Sequence, residues 1–248
     1  MPKFQNDPDM ENHAIGGSQF QFSAAKIDDL GASEYTLGLI AVDCSGSTDG
    51  FTKQMEAALT EVVKACRKNP RADNMMLRVV LFDSKLKEFH GFKPLPNCNE
   101  ADYVNSLFAG GMTALYDAVY EGVQSCITYG KQLSAREYTV NAAVFVITDG
   151  KDNESTTSAA MVKKAFADAV QSEALESMMS VLIGVNTGSG LDSYLKAFKD
   201  DAGFQQYVGL QAADEKTLAK LGGFISQSMS SQSKALGSGG ASQSLSFS

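Results

Sequence analysis

Apolar and polar positions follow two rhythms along this chain. Four stretches are almost continuously apolar: Thr36–Val42 (interrupted only by Gly38), Met75–Phe82, Tyr138–Thr148 and Met178–Val185. Short apolar runs bounded by turn residues fit strands covered on both faces, as in the interior of a parallel sheet. Between them the spacing becomes helical. Phe51, Met55, Ala58, Leu59, Val62, Val63 and Cys66 form one stripe, stopped by Asn69-Pro70. A second stripe runs through Leu115, Ala118, Val119, Gly122, Val123, Cys126 and Ile127. Helices are also expected over Ala159–Leu175, Leu191–Lys199 and Asp214 to about Met229, with a short helical piece over Asp102–Phe108. Phe204–Leu210 reads as a last strand, and Leu86–Phe92 as a hairpin partner joined to Phe82 through Asp83-Ser84-Lys85.

Strands alternating with helices predict an α/β fold: a doubly wound, mostly parallel sheet with one antiparallel edge strand and helices on both faces. Residues 1–34 are mixed and polar and read as an N-terminal arm. Within the arm Phe20 and Phe22 alternate with Gln19 and Gln21, which fits either a short edge strand or a poorly ordered segment. The domain proper is expected over 35–230. A Ser/Gly-rich stretch over 231–248 reads as a flexible tail. There is no internal repeat.

Composition narrows the function. At 248 residues and 44% hydrophobic, the chain can bury a full core. A net charge of −8 and no basic stripe argue against nucleic-acid binding, which needs clustered Lys and Arg to neutralise phosphates. No apolar stretch approaches the ~20 residues that span a bilayer, and the N-terminus shows no basic-then-apolar secretory pattern. The expectation is a soluble, cytoplasmic protein. Cys44, Cys66, Cys98 and Cys126 are scattered, without a CxxC pair, and read as reduced residues.

Chemistry concentrates where the apolar strands end. Asp43-Cys44-Ser45-Gly46-Ser47 follows the first buried strand, at the carboxyl edge where open α/β sheets bind ligands. The spacing D-x-S-x-S places a carboxylate and two hydroxyls on one tight loop, a donor set suited to a hard divalent cation rather than zinc or copper. Gly110-Gly111-Met112-Thr113 opens the second striped helix, and the strand over 138–148 ends in Thr148-Asp149-Gly150. Other chemistries fail on particular residues. A DxDx(T/V) phosphatase needs an aspartate where Ser45 stands. A serine hydrolase needs G-x-S-x-G and a later histidine, but the only histidines are His13 and His90. His90 reads as an exposed or capping residue. No G-x-G-x-x-G follows the first strand.

The ordered set DxSxS, GG-x-T and T-D-G resembles the von Willebrand factor A-like fold with its metal-ion-dependent adhesion site, from about Glu34 to about Met229. That resemblance implies that Ser45, Ser47 and Thr113 give hydroxyl oxygens to Mg²⁺ or Mn²⁺. Asp43 and Asp149 then supply charge, partly through bound water. It implies a non-enzymatic protein-binding module that captures a Glu or Asp side chain of a partner, with an adaptor role for a MoxR-type AAA+ ATPase as one extension. Asp117 either orients the site loop or is simply solvated. A structural or self-assembling component, docking through its arm or tail, is the competing class.

Overall fold

The computed structural model describes residues 9–16, 20–212, 214–238 and 245–247. Eight strands form one sheet: β1 (Met10–Ala14), β2 (Gln21–Ala25), β3 (Glu34–Asp43), β4 (Met75–Phe82), β5 (Leu86–Pro94), β6 (Thr139–Thr148), β7 (Met178–Val185) and β8 (Gln206–Leu210). Their order across the sheet is β1-β2-β5-β4-β3-β6-β7-β8. From β4 to β8 every pairing is parallel. The helices are α1 (Thr52–Arg67), α2 (Leu115–Ser134), α3 (Ala159–Gln171), α4 (Ser189–Ala202) and α5 (Glu215–Ser238).

Strand alternation distributes these helices. Along β3, Leu37, Leu39 and Ala41 pack with Val119 and Val123 of α2, in a core that takes in Val162 of α3 and Leu195 of α4. Ile40 and Val42 point the other way, into a core with Leu59 and Val63 of α1 and Ile225 and Met229 of α5. Both faces of the central strands are therefore dry, which is why their sequences are apolar throughout.

The expected antiparallel strand is β5, paired to β4, but it lies one hairpin in from the rim. The stretch read as an arm contributes β1 and β2, an antiparallel pair whose second strand meets β5 in parallel at Ala24 and Phe92. Gly91 allows the approach, since a Cβ there would lie 1.8 Å from the Ser23 carbonyl oxygen. Phe22 is 1% exposed, so its burial holds the hairpin with about 2 kcal/mol. Glu88 closes the junction. One carboxylate oxygen accepts from the Ser23 amide (2.9 Å) and hydroxyl (2.6 Å), and the other accepts from Arg78 Nε (2.8 Å). Arg78 also donates to Ser125 Oγ on α2.

Three further expectations change. The helical piece expected over Asp102–Phe108 is a single 3₁₀ turn, Glu100–Tyr103, after which the chain bends at Asn105 with φ +56°. α5 does not stop near Met229 but continues to Ser238, so 231–238 is helix rather than tail. Two of its polar side chains there, Gln232 and Ser233, are buried. Gln232 Nε2 donates to Ala142 O and Ser177 Oγ, Asn141 Nδ2 donates to Gln232 O, and Ser233 Oγ accepts from Arg71 Nε. The rest of the expected tail lies outside the described residues, except that Gln206 Nε2 donates to Leu245 O and Phe247 packs edge-on to Phe224. Among the described residues no helix is long and apolar enough to cross a membrane.

His90, expected to be exposed or capping, sits within β5 with both ring nitrogens engaged. Nδ1 faces the Gly91 carbonyl oxygen (2.9 Å) and must carry the proton, leaving Nε2 to accept from the Tyr103 hydroxyl (2.6 Å). Burial pushes its pKa down to about 4.

Two outcomes are expected. The unfolded chain protonates His90 near 6.5 and the folded chain only near 4, so this group's stability is intact above pH 6.5 and lost as pH falls towards 4. Thermal melts at pH 7 and pH 5 should show a smaller drop in Tm for His90→Gln than for the parent. Separately, Glu88→Ala should destabilise the fold by roughly 3 kcal/mol in urea unfolding, because it leaves Arg78 buried without its partner.

Candidate metal centre

Three chain segments meet at the carboxyl edge of β3 and β6. β3 delivers Asp43, and the chain then turns through a 3₁₀ segment, Gly46–Phe51, into α1. β6 delivers Thr148, followed by Asp149 and a loop to α3. The 110–114 turn opens α2.

Parallel register brings the first two together. Val42 pairs with Ile147, so the next residues, Asp43 and Thr148, lie side by side. Asp43 is 1% exposed. Its Oδ2 accepts from Thr148 Oγ1 at 2.5 Å and its Oδ1 from the Ser45 amide at 2.8 Å. Ser45 Oγ and Ser47 Oγ are 3.1 Å apart, and Ser47 Oγ donates to Asp149 Oδ1 at 2.7 Å. Thr113 closes the group. A Cβ built on Gly150 would stand 3.2 Å from Thr113 Oγ1 and 3.6 Å from Asp43 Oδ2, so those two oxygens share one side-chain-free hollow. All five residues expected from the sequence therefore converge.

The third segment is tied to the first by backbone. Gly110 N donates to Cys44 O (2.9 Å) and Gly46 N to Gly111 O (3.1 Å). Gly111 has φ +77°, a conformation that favours glycine. Met112 N donates to Ser84 Oγ and Ala114 N to Asp83 O, which fixes the turn against the β4–β5 connection.

Three further residues support the site, and of these Asn153 was not visible in the sequence. Asn153 clamps Thr113 from both sides: its Oδ1 accepts from Thr113 N (2.7 Å) and its N donates to Thr113 O (3.1 Å). Asp117 is not merely solvated. Its carboxylate accepts from the amides of Thr157 (2.8 Å) and Thr156 (3.1 Å), pinning the loop after Asp149 to α2. Asp152, in the same loop, accepts from the Ser155 hydroxyl (2.5 Å) and from Tyr116 N. The only sequence signal for these contacts is the density of Asp, Asn, Ser and Thr between Asp149 and Ser158.

The electrostatics are unbalanced. Burial, together with the charge of Asp43, pushes the Asp149 pKa up to about 6. Burial likewise raises that of Asp43, against the opposing hydrogen bonds from Thr148 and Ser45. Among the described residues, no cationic side chain forms an ion pair with either carboxylate. Among the described residues there is no cluster of three or more His, Cys, Asp or Glu side chains able to hold a metal. A cation here would have to draw on the hydroxyls. Two carboxylates and three hydroxyls around one hollow are a fitting donor set for a hard divalent ion. Cys44 does not join them: it is buried, and its thiol is pushed up to about 12 by that burial.

No protein-family model matches this sequence, and neither does any curated protein. Solved structures do match. The PilB minor pilin of Streptococcus sanguinis superposes with a TM-score of 0.56 at 15% identity, over 84% of this chain and 64% of that one. Proximal thread matrix protein 1 of the mussel byssus, solved with a zinc-occupied MIDAS motif, gives 0.53 at 18% identity, over 79% and 46%. The ArnB paralog VWA2 of Sulfolobus acidocaldarius gives 0.52 at 13% identity, over 79% and 46%. The chain spans less than two thirds of each of these proteins. At such identities the likeness bears on architecture alone, and the architecture is von Willebrand factor A-like.

Proposed function

We propose that this chain is a metal-dependent protein-binding module whose site holds Mg²⁺ or Mn²⁺ and captures a Glu or Asp side chain of a protein partner. The observation that carries the reading is the convergence of Asp43, Ser45, Ser47, Thr113 and Asp149 on one hollow at the sheet's carboxyl edge. Ser45, Ser47 and Thr113 would hold the ion through neutral oxygens, with Asp43 and Asp149 supplying charge directly or through water. Mg²⁺ keeps several waters when few carboxylates reach it, and an exchangeable position suits an incoming carboxylate. The zinc-occupied motif of the mussel protein supports a metal-binding use of this fold. The reading is non-enzymatic and places the protein in the cytoplasm. An adaptor role beside a MoxR-type AAA+ ATPase is a narrower version that rests on the family resemblance. Self-assembly through the N-terminal arm is disfavoured by the burial of Phe22 within its own sheet.

Titration calorimetry with Mg²⁺ and Mn²⁺ should show one site per chain. Ser47→Ala and Thr113→Val should each weaken the affinity at least tenfold while the far-UV circular dichroism and Tm stay close to the parent's. Unchanged affinity in both would mean that these oxygens are not ligands. Asp117→Asn keeps every proposed ligand but weakens the hold on the Thr156 and Thr157 amides. It should cost roughly 10-fold in metal affinity, as supporting hydrogen bonds do elsewhere, and speed amide exchange over 149–157.

A further inference from the structure

The residues beside the candidate site have a feature that metal binding does not use. Six large apolar side chains are exposed among the described residues, and three of them, Val104 (56%), Phe108 (64%) and Met112 (46%), fall on the one loop leading to Thr113. The loop is not loose. Leu107 is buried with its amide on Glu56 Oε1 (2.8 Å), Gly110 N is bonded to Cys44 O, and Met112 N to Ser84 Oγ. Phe108 and Met112 are therefore held out into solvent by a backbone anchored on both sides of each. Between them run Ala109, Gly110 and Gly111. A Cβ at Gly110 would meet nothing within 4 Å, so the middle of the floor between the two side chains is open backbone. That floor is the strand of chain bonded to Cys44 and Gly46 of the site loop. With about 3.8 Å between successive Cα atoms, both side chains start within about 8 Å of that crossing.

On the reading of the site given above, on which this inference rests, a partner carboxylate entering the site brings its neighbouring residues over this trough. We infer that Phe108 and Met112, with Val104 beyond them, form the specificity surface of the site, and that its partner is a protein segment carrying a bulky apolar side chain one or two residues from its acidic one. Charge supports that choice of occupant. The chain carries a net charge of −8, which on balance opposes an acidic segment away from the cation. Further acidic residues on the partner would add repulsion, whereas apolar neighbours gain from contact with exposed, pre-positioned side chains.

The test uses two acetylated, amidated heptapeptides with a central glutamate, one flanked only by glycine and one with phenylalanine two residues to either side. Binding is followed by amide shifts in ¹⁵N-labelled full chain with saturating Mg²⁺, and Mg²⁺ affinity is measured separately by calorimetry. The phenylalanine peptide should bind at least tenfold tighter than the glycine peptide, with shifts centred on 104–113. The double variant Phe108→Ser/Met112→Ser should erase that difference without changing Mg²⁺ affinity. Equal binding of the two peptides, or binding of neither while Mg²⁺ still binds, would overturn the specificity surface and leave the metal site standing. Phenylalanine-peptide binding that persists in EDTA would also overturn it, because the apolar contact would then be independent of the site. Absence of Mg²⁺ binding would overturn the metal reading itself, and the inference with it.

Discussion

A carboxylate buried at the end of a strand is costly unless donors surround it, and Asp43 sets that condition for this edge of the molecule. Its two oxygens are met by the Ser45 amide and the Thr148 hydroxyl. The first requires the chain to turn back at once after β3. The second requires β6 to lie next to β3 in the register that puts Thr148 beside Asp43. Both requirements are met by the apolar faces of the strands, whose burial on two sides fixes register because a one-residue slip would exchange the two cores. The site loop, the pairing of β3 with β6 and the sorting of helices to two faces are thus one constraint seen at three scales.

From this edge outward, each layer is positioned by the one before it. Ser47 reaches Asp149 because Ser45 has already turned the loop, and Thr113 faces the same hollow because the glycine turn is bonded to Cys44 and Gly46. Asn153 and Asp117 then hold the two later segments to each other through backbone amides. Such bonds, short and partly buried, restrict the oxygens to one arrangement before any ligand arrives, the condition under which weak neutral donors are most effective.

The central strands and their helices were legible because burial on two faces or one stripe writes itself as a run or a period. The meeting of Asp43, Ser45, Ser47, Thr113 and Asp149 at one sheet edge was legible because three short motifs fall at strand ends in the same order as the fold places them. What could not be read depends on contacts far apart in sequence. The Phe20/Phe22 alternation allowed an edge strand without deciding it: β1 and β2 are five residues each, with mixed burial, and join the sheet beside Gly91 and the Glu88 carboxylate. The last turns of α5 look like a polar linker because Gln232 and Ser233 are buried as hydrogen-bonding groups rather than as apolar ones. His90 looked peripheral because neither Tyr103 nor the Gly91 carbonyl can be assigned to it from spacing.

The choice of donors bears on what the site is suited to do. A cation ringed by several carboxylates would be neutralised and closed, a structural clasp rather than a point of recognition. Here only Asp43 and Asp149 carry charge, and they are already short of compensation, whereas Ser45, Ser47 and Thr113 add oxygen without adding charge. On the proposed reading the two carboxylate charges formally balance a divalent ion, and the neutral hydroxyls leave room in its shell for water or an incoming carboxylate. In a chain of net charge −8 such an ion would relieve the repulsion felt by an acidic group only locally, within roughly 8–10 Å at physiological ionic strength. An acidic group would then be attracted only near the ion. On the inference drawn above, the loop carrying Phe108 and Met112 supplies the apolar part of the surface that such a partner would meet.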